Sequence, residues 1–208
     1  MKTLLLLLLL LTLPLQAQEL RIVHVGGYKA VSTEEVFEIY KRASWYFSQV
    51  NIGFRMKYVP IDYNPCIYKH TINSRQSELS CLSSLTTTRR RRAVTYWLTP
   101  PFITVDQAGG PQTGWIGGIA LLCGNVATGN AIERQLYQGQ EGPSRIDHSA
   151  TILAHEVLHN FCATHQDSAP NLLHSAANLY TEQYLGRLPV LRVTRRQVQR
   201  SFVRSRRG

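Results

Sequence analysis

The sequence predicts one α/β domain, a mixed sheet with helices, and three observations carry that expectation. The first is a strand-helix-strand opening between Leu20 and Ile61. The second is a set of short apolar runs after it, each ended by Gly or Pro. The third is one strongly apolar helical stretch, Ala150 to Phe161, that also carries histidines and a glutamate. At 208 residues the chain is long enough for a single substantial core.

The elements can be justified in order. The chain opens MKTLLLLLLLLTLPLQAQ, with Lys2 as a positive start and Leu4 to Leu13 apolar except for Thr12. Pro14 follows, and Ala17 is small enough for a cleavage site. The run is too short for a comfortable membrane span, so residues 1–17 read as a secretory signal peptide and 18–208 as the domain. Leu20 to Val25 reads as a strand ended by Gly26-Gly27. Ser32-Thr33-Glu34-Glu35 is a capping-box pattern, and Val36, Tyr40, Ala43, Phe47 and Val50 follow at helical spacing. Ile52 to Ile61 reads as a second strand, and a crossover of this length implies a parallel pair. Asn64 to Thr88 is polar and Ser-rich and reads as an irregular loop. Ala93 to Leu98 and Gly117 to Cys123 read as a third and fourth strand. A Gly-rich polar connection then reaches Ser149, an N-cap for the helix from Ala150 to Phe161.

Export bears on the cysteines. Cys66, Cys81, Cys123 and Cys162 allow three pairings of two disulfides. The nearest is Cys66 with Cys81, which leaves Cys123 for Cys162. Two other readings of Cys162 stay open: a free thiol beside a metal, or a small buried residue.

The net charge is +10, concentrated in Arg89 to Arg92 and in a C-terminal stretch with no acid after Glu182. Such regions form solvated basic faces, and they can bind anionic polymers or surfaces. Readers of single-stranded nucleic acid interleave aromatics with basic residues. Here the tail offers Phe202 and the arginine tetrad none, so a nucleic-acid partner is not expected. The tetrad reads as exposed chain rather than a maturation site, because a cut there would remove the opening elements of the only core.

The chemistry lies in HEVLHNFCATH, His155 to His165. His155 and His159 are one helical turn apart, so both imidazoles share a face and can grip one zinc ion. Glu156 stands beside them as a general base for a water on the metal. A chance surface pattern is disfavoured by the apolar Ile152, Leu153, Ala154, Val157, Leu158 and Phe161 around it. Ionisable groups are costly to bury without partners. His165 extends the pattern to HExxHxxxxxH, giving three protein ligands and an open position. His24, His70, His148 and His174 have no such spacing.

These residues resemble the metzincin peptidases, and within them the reprolysin (ADAM-like) group, which carries HExxHxxGxxH. HNF at the second histidine of the zinc-binding pair, His159 to Phe161, and GGIA at Gly117 to Ala120 are similar to that group as well. The resemblance covers roughly Gly117 to Leu173. It implies a zinc endopeptidase with a mixed twisted sheet, an active-site helix and a small C-terminal subdomain. The upper part would run to about residue 162, and the lower from about 163 to 208. It also implies that Gly118, Ile119 and Ala120 form the strand that receives an extended substrate, and that 174–180 helps to shape the pocket.

The sequence departs from the family at three places. Cys162 stands at the family's turn glycine, and Gln166-Asp167 displaces its acid after the third histidine. Leu173 stands where a methionine is expected beneath the zinc; the only methionines are Met1 and Met56. Leucine has similar volume, so Leu173 is expected to support the site. The expectation is therefore a secreted (extracellular or periplasmic) zinc endopeptidase acting on proteins or peptides. The rival from another class is a basic exported binding protein that keeps the zinc site idle. Intact Glu156 argues against the rival, because holding zinc does not need it.

Overall fold

The computed structural model describes residues 18–25, 31–66, 75–86, 93–99, 117–130, 145–166, 171–173 and 193. The leader, Arg89–Arg92, 174–180 and the basic tail lie outside the described residues. A five-stranded sheet has the order β2-β1-β3-β5-β4. Its strands are β1 (Gln18–Val25), β2 (Phe54–Ile61), β3 (Ala93–Thr99), β4 (Gly118–Ala120) and β5 (Val126–Asn130). The first four in that order are parallel to one another, and β4 alone runs antiparallel, against β5. The expected mixed α/β architecture and the parallel β1–β2 crossover are both present.

The sheet is covered on both faces, which is why β3 is buried along its whole length. Leu20, Ile22, Val94, Tyr96 and Leu98 point to one face, where helices α1 (Thr33–Gln49) and α3 (Arg145–Asn160) pack. Val23, Val25, Trp97 and Val126 point to the other, against helix α2 (Arg75–Leu85). The alternation follows from the two-residue repeat of a strand. Pro60 is accommodated because β2 lies at the sheet edge.

α1 begins at the expected capping box. Ser32 Oγ accepts from the Glu35 N–H at 3.2 Å, and the Ser32 N–H donates to Glu35 Oε2 at 2.8 Å. Val36, Ile39, Ala43 and Phe47 bury its inner face. Phe47, Phe54 and Phe161 stack edge-on, with centroids 4.8 Å and 5.8 Å apart. That row joins α1, β2 and the end of α3.

Three expectations need correction. Part of the polar stretch 64–88 is helical: α2 occupies 75–85. Leu79, Cys81 and Leu82 bury against the sheet, and the Cys66–Cys81 disulfide ties the helix to the preceding turn. The serines that suggested a loop are satisfied locally: Ser83 Oγ donates to Ser80 O and Ser84 Oγ to Cys81 O. The Gly-rich connection contains β5, and the fourth strand shrinks to 118–120. Gly129 in β5 passes under the Tyr96 hydroxyl, where a side chain would also meet Ile152 Cγ2 at 2.8 Å. Finally, Ser149 is not an N-cap, since α3 is already helical from Arg145. Asp147 in its first turn pairs with Arg42 of α1 and lies near the positive end of the helix. Among the described residues no helix is long and apolar enough to cross a membrane.

Candidate metal centre

α3 runs beneath β4 and β5 and carries His155, Glu156 and His159. It ends in a tight reversal. The Cys162 N–H donates to His159 O at 2.9 Å and the Ala163 N–H to Leu158 O at 3.2 Å. Cys162 itself has φ 64°, a left-handed conformation. This is the two-bond helix stop that ordinarily uses glycine. Leu158 and Ala163, at the two positions that such a stop makes apolar, are both fully buried in the same core cluster. The reversal returns the chain so that His165 faces the helix.

The three imidazoles meet. His155 Nε2 lies 2.9 Å from His159 Nε2, and each lies 3.2 Å from His165 Nε2. His155 Nδ1 donates to Leu172 O and His159 Nδ1 to Ala163 O, both at 2.6 Å. A carbonyl only accepts, so the proton of each ring is on Nδ1. Both Nε2 lone pairs therefore point inward at the third ring. Burial pulls the His159 pKa below its ordinary value, against the opposing Ala163 carbonyl and with the help of His165. The ring is thus held neutral, as a ligand requires.

Converging lone pairs repel unless a cation lies among them. Tetrahedral zinc with Zn–N near 2.0–2.1 Å separates its nitrogen ligands by about 3.3 Å. The observed 2.9–3.2 Å is close to that spacing, so the donor set fits the ion. Among the described residues this is the group of three or more His, Cys, Asp or Glu able to hold a metal. His24 and His148 lie elsewhere in the fold; His70 and His174 are outside the described residues.

The remaining candidates fall around this centre. Glu156 is buried, and its side chain lies against Gly118 of β4. Gly118, Ile119 and Ala120 form the terminal strand of the sheet. Leu173 is fully buried in the core that contains the helix, and its carbonyl accepts from the Gln166 N–H at 3.0 Å. Both disulfides, Cys66–Cys81 and Cys123–Cys162, are formed, and no cysteine is free.

Sequence reasoning missed the residues that hold these parts together. Leu172 and Ala163 act through main-chain carbonyls, which leave no mark in a side-chain pattern. Asn160 does leave one, as an amide on the buried side of an apolar helix. Its Nδ2 donates to Leu121 O and to Val126 O, each at 2.9 Å, and the Cys123 N–H donates to His159 O at 3.0 Å. The turn between β4 and β5 is therefore fastened to the C-terminal end of α3.

The fold, a mixed five-stranded sheet backed by a helix with a three-histidine cluster, is similar to that of solved metallopeptidase structures. Archaemetzincin from Methanopyrus kandleri shares it, with a TM-score of 0.60 and 13% identity over 92% of this chain and 99% of that one. Metalloproteinase-II from Bacteroides fragilis is similar over 92% of this chain and 54% of its own, with a TM-score of 0.50 and 14% identity. At these identities the likeness is one of fold. No protein-family model matches the chain, and no curated protein matches its sequence.

Proposed function

We propose that the chain is a secreted zinc endopeptidase whose site is of the reprolysin type. The observation that carries this reading is the convergence of three Nε2 atoms within 3.2 Å, two of them on rings oriented by carbonyls. His155, His159 and His165 would hold the ion. A zinc ion held there would supply Lewis acidity toward a peptide carbonyl and a water. Glu156 would take the proton of the attacking water and deliver it to the leaving nitrogen. Its burial beside β4 puts a carboxyl group next to the strand that would bind substrate. Gly118, Ile119 and Ala120 would pair with an extended peptide along the outer side of β4. Leu173, fully buried in the core, would take the place of the family methionine.

Residues 1–17 would be removed on export, and 18–208 would form one peptidase domain divided near residue 162. Two disulfides fit an oxidising compartment. The basic C-terminal stretch would meet anionic polymers or surfaces.

A peptide-library cleavage assay on the mature protein, combined with metal analysis, tests this function. Chelation should abolish cleavage and added zinc restore it. Glu156→Ala should keep one zinc per chain and lose nearly all hydrolysis, whereas the triple Ala variant of His155, His159 and His165 should hold no zinc. Cleavage that survives both the chelator and Glu156→Ala would refute the reading. Zinc bound stoichiometrically without any cleavage would favour a binding protein instead.

A further inference from the structure

Gly118 lies where β4 passes over the helix that carries the metal centre. A Cβ at this position would stand 2.6 Å from Glu156 Cγ, 3.0 Å from Glu156 Oε1 and 2.8 Å from Thr128 O. Real side-chain carbons do not approach other atoms so closely. No left-handed backbone conformation asks for glycine here, so the requirement is one of space.

Either the strand or the glutamate would have to yield to a side chain. The strand is poorly placed to do so. Asn160 of α3 grips both ends of the turn that follows β4, through Leu121 O and Val126 O. The Cys123 N–H is bonded to His159 O, and Cys123 is joined covalently to Cys162. β4 is also paired with β5, Ile119 opposite Thr128 and Ala120 opposite Ala127. The atoms of Glu156 that a Cβ would meet, Cγ and Oε1, belong to a side chain and shift by bond rotation, whereas the strand would have to move its backbone.

We propose that Gly118 is a positioning residue for Glu156: its missing side chain lets the carboxyl group lie against the substrate strand and fixes where that group stands. The proposal rests on the role of Glu156 given above. It gives Gly118 a task beyond the peptide pairing proposed for Gly118, Ile119 and Ala120 together. A larger residue at 118 rotates the carboxyl group away from the attacking water while leaving the three histidines in place.

The test has two arms. In the first, wild type, Gly118→Ala, Glu156→Ala and the double variant are melted in excess chelator, so that metal binding does not contribute. Gly118→Ala should lower Tm, and the drop should shrink by half or more when Glu156 is already Ala. An equal drop in both backgrounds would assign the requirement to Thr128 O and overturn the proposal. If Gly118→Ala gives no folded protein, recovery of folding in the double variant supports the proposal and continued failure overturns it. In the second arm, zinc-loaded Gly118→Ala should keep one zinc per chain, lose about tenfold or more in kcat and change KM by less than about threefold. A raised KM with kcat retained would make Gly118 a substrate contact only, and would also overturn it. A wild-type protein that cleaves nothing would refute the proposed activity, yet the melting cycle would still decide whether position 118 governs Glu156.

Discussion

Cys162 holds a backbone conformation that cysteine disfavours, and it does so next to the turn that delivers His165. At φ 64° a residue with a Cβ costs about 1–2 kcal/mol relative to glycine. The disulfide to Cys123 closes a loop with a sequence separation of 39. By the chain-entropy model such a closure contributes about 4 kcal/mol. The bond can therefore more than offset the local strain, and a glycine at 162 would remove the strain without the bond. Two double variants separate the effects. Cys123→Ser with Cys162→Ser loses the restraint and keeps the strain, so it should be less stable than wild type by about 4 kcal/mol. Cys123→Ser with Cys162→Gly loses the restraint and the strain together, so it should fall by only about 2–3 kcal/mol. Urea unfolding in chelator, at equal m-values, measures both. Zinc affinity should follow the same order, because a turn that relaxes moves His165 away from His155 and His159. Equal stability of the two variants would refute the reasoning, for it would show that position 162 carries no strain to relieve.

The readable parts of this protein were those in which side-chain type and spacing do the work. The capping box at Ser32 and Glu35, the apolar face of α1 and the His-Glu-His spacing all depend on local periodicity, and each appears in the structure. Cys66–Cys81 could be inferred from proximity in the chain, and Cys123–Cys162 followed from it. The missed parts depend on tertiary contact. α2 has the composition of a loop and becomes helical because Leu79 and Leu82 find an apolar sheet face and its hydroxyls find carbonyls one turn back. β5 reads VATGN, too short and too polar to announce itself, and it is a strand because β3 and β4 flank it. The start of α3 was displaced because Asp147 and His148 look like loop residues, whereas Arg42 partners Asp147 from another helix. Within the site, the histidines were legible and their orienting carbonyls were not.

Two further outcomes follow from the arrangement of strands and buried groups. N-terminal sequencing of the exported protein should place its start near Gln18 rather than at Ala93, because β1 lies between β2 and β3 and its loss would split the sheet. A start at Ala93 with no retained upstream fragment would refute the domain boundary. The second outcome concerns acid. His148 is 6% exposed near the start of α3, and burial lowers its pKa from 6.5 to about 4. In the unfolded chain the same ring takes up a proton near pH 6.5. Between those values the unfolded state binds more protons than the native one, so stability falls as pH falls and is unaffected by this group at higher pH. Across the whole window the loss from His148 amounts to about 3 kcal/mol. Desolvation of His159 acts in the same direction. His148→Gln removes one titrating ring and leaves every other group to titrate as before. Urea unfolding in chelator at pH 7 and pH 4.5 should therefore show a smaller acid-induced loss in the variant than in wild type. Identical losses would mean that His148 takes up its proton in the folded protein as readily as in the unfolded chain, and that its burial does not hold the ring neutral.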